Sequence, residues 1–143
     1  ACALAGHRAE ALNHLRAYWG GMLSLGATSF WEHFDIGWLE NAARIDEPVP
    51  PGKRDIHRDC GEGCYQGFRH SLCHGWASLP AEWLIRQILG AVLLRADSIS
   101  VRPSLCGLEW AKGTLPASFG GVSIEATPDE VVIHAPSEVK IIQ

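Results

Sequence analysis

The residues best suited to chemistry stand together in Thr28-Ser29-Phe30-Trp31-Glu32-His33-Phe34-Asp35, where a carboxylate is set among large aromatic rings. Rings that exclude water raise the cost of ionising a carboxyl group, and a carboxyl tuned in this way can serve as a general acid or base. Flat rings also offer faces on which the C–H groups of a sugar can lie. The same residues leave a second reading open. Trp31, Phe34 and Trp38 are spaced i, i+3, i+7, as in a helical stripe that packs a core while Glu32 and Asp35 face water.

A second constellation is His57-x-x-Cys60-x-x-x-Cys64 followed by His70-x-x-Cys73-His74. These atom types suit tetrahedral zinc, but the spacing is only loosely apt, because zinc modules bring their cysteines in closely spaced pairs and Cys60/Cys64 sits at the outer edge of that range. A structural zinc on His57, Cys60, Cys64 and Cys73 is therefore kept as a lesser alternative. The main reading assigns no metal and no cofactor, with Cys73 a small buried hydrophobe and Cys60 and Cys64 loop thiols or a local disulfide.

Composition narrows the partners. The chain has 143 residues, 47% hydrophobic and 20% charged, which suits one globular domain or two small pieces. A net charge of −4 and the lack of any basic run argue against nucleic acid. The longest apolar run, Ile88 to Leu94, stops at Arg95, far short of the roughly 18 residues of a membrane span, so no membrane partner is expected. Five cysteines, an odd count, leave at least one thiol unpaired within the chain and favour a reducing compartment. The start, Ala1-Cys2-Ala3-Leu4, has neither an initiating Met nor a basic leader, and reads as a cut end.

The elements that must position these residues follow from periodicity. Apolar residues at Leu4, Ala11, Leu12, Leu15, Trp19 and Met22 predict an amphipathic helix from Leu4 to Leu25, closed by Gly26. Gly20 and Gly21 within it imply either an early end or a closely approaching neighbour. Residues 41–69 are rich in Pro and Gly and predict a long loop, a candidate site wall. Helical spacing returns over Ser71 to Leu94, with Gly90 a possible end and Pro80 allowing either a helix that starts with Ser78 as cap or a longer one from Ser71 bent at Pro80. After Arg95 the period becomes two, at Ile99/Val101, Val122/Ile124, Val131/Ile133 and Val139/Ile141, which predicts short antiparallel strands. The fold class expected is α+β, with helices first and strands after.

Three stretches taken together resemble a known family. Tyr18-Trp19-Gly20-Gly21-Met22 leading into Gly26-Ala27-Thr28-Ser29-Phe30-Trp31-Glu32, then Ser71-Leu72-Cys73-His74-Gly75-Trp76-Ala77, then Gly107-Leu108-Glu109-Trp110-Ala111-Lys112-Gly113, resemble in the same order the C-terminal third or less of bacterial α-L-rhamnosidases. The likeness covers nearly the whole chain but only a minor part of such an enzyme. It implies hydrolysis of terminal α-L-rhamnosides with inversion, in carbohydrate metabolism, by a six-hairpin glycosidase. It also implies that residues 1–95 are the terminal helices of an (α/α)6 barrel and residues 96–143 a small antiparallel β-sandwich. By resemblance Glu32 is the general base, His74 lines the sugar pocket, and Trp31 and Trp76 flank the sugar ring. Ser78-Leu79-Pro80 departs from the small-residue pattern of the family.

An inverting enzyme needs a second, protonated carboxyl about 6.5 to 9.5 Å from the base. In the family it lies upstream, and neither Asp35 nor Glu40 is assigned that role. The chain is therefore expected to hold the base half of a site for an L-rhamnose-containing glycoside and to be inactive alone. Barrel helices without their neighbours expose apolar faces, so a homo-oligomer, or association with the rest of a parent enzyme, is expected. A non-catalytic carbohydrate-binding or structural module remains the alternative reading, with the small zinc module after it.

Overall fold

The computed structural model describes residues 2–60 and 71–142. Among these it is a mixed α+β fold, with short helices and two three-stranded sheets. The chain forms two compact units, one of residues 11–79 and one of residues 1–10 with 80–143. The hairpin formed by the strands Ala91–Arg95 and Ser98–Val101 straddles the boundary expected at residue 95 and lies within the second unit.

The first helix, α1 (Arg8–Ser24), is shorter than its apolar spacing predicts. Gly6 takes a left-handed φ of +89° and the His7 N–H donates to the Cys2 carbonyl at 2.8 Å, so Leu4 lies in a turn before the helix and is exposed. The other end falls as expected. Gly26, at φ +89°, closes α1 in a Schellman arrangement in which the Ala27 N–H reaches the Met22 carbonyl and the Gly26 N–H the Leu23 carbonyl.

Trp31, Phe34 and Trp38 all pack into the core of the 11–79 unit with Met22, Leu25 and Ile56, but not as a helical stripe. Residues 28–36 are irregular because their polar backbone groups are engaged by the segment after residue 70 rather than by an i→i+4 ladder. The rings meet edge to face, with centroids 6.1 Å apart for Trp31–Phe34 and 5.7 Å for Phe34–Trp38. Only α2 (Trp38–Asn41) is helical here, and it is started by Asp35, whose Oδ1 accepts from the Gly37 N–H at 2.7 Å. The region expected to be loop is largely irregular to residue 55, with one bridge between Ala42 and Arg54, and then forms α3 (Ile56–Asp59). Residues 61–70 of that loop, with Cys64 and His70, lie outside the described residues.

The segment of helical spacing from Ser71 holds three short helical elements before Gly90. A 3-10 turn spans Gly75–Ala77, α4 spans Leu79–Trp83, and a π turn continues it over Leu84–Ile88, closed by the Leu89 N–H on the Leu84 carbonyl. The helix thus starts just after Ser78, although the Ser78 hydroxyl donates to the Gly75 carbonyl instead of capping it. Glu82 and Arg86 form the i, i+4 ion pair that their spacing implies. Gly90 stops the helix at φ +64°, with the Arg102 carbonyl so close that a β-carbon would lie 1.8 Å from it. The chain then enters β1 (Ala91–Arg95), so Val92 to Leu94 are strand and not helix.

The remaining strands are β2 (Ser98–Val101), β3 (Ala111–Ala117), β4 (Gly120–Ala126), β5 (Val131–His134) and β6 (Lys140–Ile142). The sheets run β1-β2-β6 and β3-β4-β5. The β2–β6 pair is parallel, which corrects the expectation of antiparallel strands throughout, and β3 arises where no alternation marked it, in a segment holding Gly113 and Pro116. Inward residues of both sheets share one core, formed by Ala91, Ile99 and Val101 from one and Val122 and Ile124 from the other. That shared core gives the strands a sandwich-like arrangement.

Candidate functional site

The first two motif stretches come together. The Glu32 N–H donates to the Ser71 carbonyl at 2.8 Å, and the Ser71 N–H donates back to Glu32 Oε2, also at 2.8 Å. The His74 N–H donates to the Phe30 carbonyl at 2.7 Å, and the Ser29 hydroxyl donates to the Leu72 carbonyl. Trp76 Nε1 donates to the carbonyl of Glu32 at 3.3 Å. Ser71 is held in turn by its own hydroxyl, which donates to the Cys73 carbonyl at 2.9 Å and accepts from the Cys73 N–H.

These contacts leave Glu32 half-buried, with one carboxylate oxygen anchored and Oε1 without a hydrogen bond among the described residues. His74 is half-buried and its ring lies 4.4 Å from that of Trp76, centroid to centroid, at 51°. Trp76 is 70% exposed and can lend a ring face to a ligand. Trp31, the other indole expected to flank a sugar, is 1% exposed and belongs to the core, so it presents no face outward. His33 packs edge-on against Trp38 at 5.2 Å.

Of the histidine and cysteine constellation, His57, Cys60, Cys73 and His74 are among the described residues and His70 is not. Cys60 is buried and Cys73 exposed, and no group of three or more His, Cys, Asp or Glu among the described residues is placed to hold a metal ion. Cys64 lies outside the described residues.

The third motif stretch serves a different surface. Leu108, Trp110 and Lys112 line a groove of about 270 Å³ with Leu84, Ile85 and Ile88 of the π turn, all within the unit that holds the sheets. Its Lys112 is paired to Glu125 across β3 and β4. The contact that sequence reasoning missed is Ser71. It holds Glu32 through a main-chain N–H, and every residue type but proline has one, so no side-chain pattern marks it.

No protein-family model matches this chain, and no curated protein matches it at a significant level.

Proposed function

We propose that this chain carries the general-base side of an inverting α-L-rhamnoside hydrolase, with its helices before Gly90 belonging to the close of an (α/α)6 barrel and its strands from Ala91 onward to a β-sandwich. The observation that supports the reading most is the anchored carboxylate of Glu32, with Oε2 held by the Ser71 amide and Oε1, which has no hydrogen bond among the described residues, placed to take a water. The exposed Trp76 ring, tethered to the same residue, gives a face for the C–H side of a deoxysugar.

In this reaction Glu32 takes a proton from a water whose oxygen attacks the anomeric carbon, while a second carboxyl on the opposite side protonates the departing glycosidic oxygen. Asp35 is committed to the turn that starts α2. The acid would then come from a longer protein of which these residues are part, and the 143-residue chain would bind a rhamnoside without cleaving it.

The test is incubation of the purified chain with an aryl α-L-rhamnoside, alongside titration with L-rhamnose. Weak L-rhamnose binding without aglycone release is expected. Robust release, or no binding at all, overturns the reading. The exposure of Trp76 favours one second reading, a carbohydrate-binding module without chemistry. That module's affinity would survive Glu32→Gln unchanged, whereas the base reading expects it to fall.

A further inference from the structure

We infer that Ser71 is a positioning residue for Glu32, acting through its main-chain amide, and that the Ser71–Trp76 segment sets the carboxylate and the Trp76 ring as one piece. The inference rests on the proposed role of Glu32. A glutamate side chain rotates about three bonds, so its oxygens point in a defined direction only when an outside group fixes them. Here the Ser71 carbonyl fixes the Glu32 backbone and the Ser71 N–H fixes Oε2, each at 2.8 Å, which closes a ring of two hydrogen bonds between the same two residues. The bond to the carboxylate is charge-assisted and is the stronger kind. Five residues further on, Trp76 Nε1 returns to the Glu32 carbonyl. The N–H, the C=O and one carboxylate oxygen of Glu32 are thus all engaged by a single short segment.

The hydroxyl of Ser71 bonds to Cys73 and not to Glu32, so it braces the segment, while the amide does the positioning. That division makes the inference testable. The 143-residue chain, labelled with 15N, is followed through the Trp76 indole N–H resonance and by titration with L-rhamnose. Ser71→Pro lacks the donor, and Glu32→Asp keeps the charge but is one methylene too short to reach it. Both are expected to move the Trp76 resonance toward that of a free indole and to weaken L-rhamnose binding about tenfold, the scale of one hydrogen bond to a charged group. Ser71→Ala loses the brace to Cys73 but retains the amide, and is expected to change both readouts less than Glu32→Asp does. Glu32→Asp decides the matter if Ser71→Pro does not fold.

An unchanged Trp76 resonance in Glu32→Asp overturns the inference, as does a Ser71→Ala variant that behaves like Glu32→Asp. A wild-type chain that ignores L-rhamnose defeats the proposed function instead, and the indole resonance then judges the positioning by itself.

Discussion

Gly21 and Phe34 occupy adjoining space so closely that a β-carbon on Gly21 would stand 2.8 Å from Phe34 Cζ. The glycine lies inside α1 and is buried, and the ring it admits makes edge contacts with Tyr18, Trp31 and Trp38. Alanine would improve helix propensity by about 1 kcal/mol. It would also force a ring that is held on several sides to move, and overpacking of this kind costs about 1 to 3 kcal/mol. Gly21→Ala is therefore expected to lower stability by about 1 kcal/mol, read as a lower urea midpoint with an unchanged slope. A raised midpoint would show that the ring yields freely.

At Gly21 the sequence left two options, an early helix end or a closely approaching neighbour, and the structure holds the second; the identity of the neighbour was not legible. Gly26 and the alternating pairs Ile99/Val101 and Val122/Ile124 were legible, since a left-handed helix stop and a two-residue burial period are local properties. Helical spacing put Trp31, Phe34 and Trp38 in the core but misled about the backbone, which is irregular at Trp31 and Phe34 and held through Phe30 and Glu32 by residues some forty positions away, and turns helical only at Trp38. Over Val92 to Leu94 the helical spacing ran on past Gly90, the possible end that the sequence marked, because an apolar run fits a strand as well as a helix and the approach of Gly90 to Arg102 decides between them. The parallel β2–β6 pairing depends on a connection of nearly forty residues, and no periodicity within either strand encodes it.

The two tryptophans expected beside a sugar are separated by burial, and their truncations should part accordingly. Trp31→Ala empties a site that is 1% exposed and should destabilise the 11–79 unit by about 3 to 5 kcal/mol, enough to abolish cooperative unfolding. Trp76→Ala removes a ring that is mostly in solvent and should change stability by less than about 0.5 kcal/mol, while L-rhamnose binding is lost. Circular dichroism melts of both variants, set beside L-rhamnose titration of Trp76→Ala, test this. Retention of affinity in Trp76→Ala would remove that ring from the site.

Large apolar side chains stand exposed in both units, with Leu23, Trp76 and Leu79 in one and Leu93, Leu94 and Trp110 in the other. Single exposed apolar residues are ordinary, but β1 is also an edge strand of its sheet among the described residues and carries Leu93 and Leu94. Self-association is the expected result. Light scattering at about 100 μM should give a mass above the 15.6 kDa of one chain, and Leu93→Lys should lower it. A clean monomer in the unsubstituted chain would contradict the expectation.

Asp59 provides a pH dependence whose sign follows from its partners. Its carboxylate accepts from Arg58 Nε at 2.8 Å and Nη2 at 3.1 Å, and from the Asp55 N–H at 2.9 Å. The Arg58 hydrogen bonds first, and the Asp55 N–H after them, lower its pKa from 3.8 to about 2. A carboxyl whose pKa is depressed by folding stabilises the fold fully above its unfolded value and loses that contribution as pH falls through the folded value. The window therefore runs from near pH 4 down to near pH 2. Asp59→Asn should lower the urea midpoint of the chain near pH 6, and the gap from wild type should close as pH falls through that window. Because Arg58 is largely exposed, part of the gap should also disappear at high salt. A gap that stays constant from pH 6 to pH 2 would mean that the Asp59 charge contributes nothing to folding.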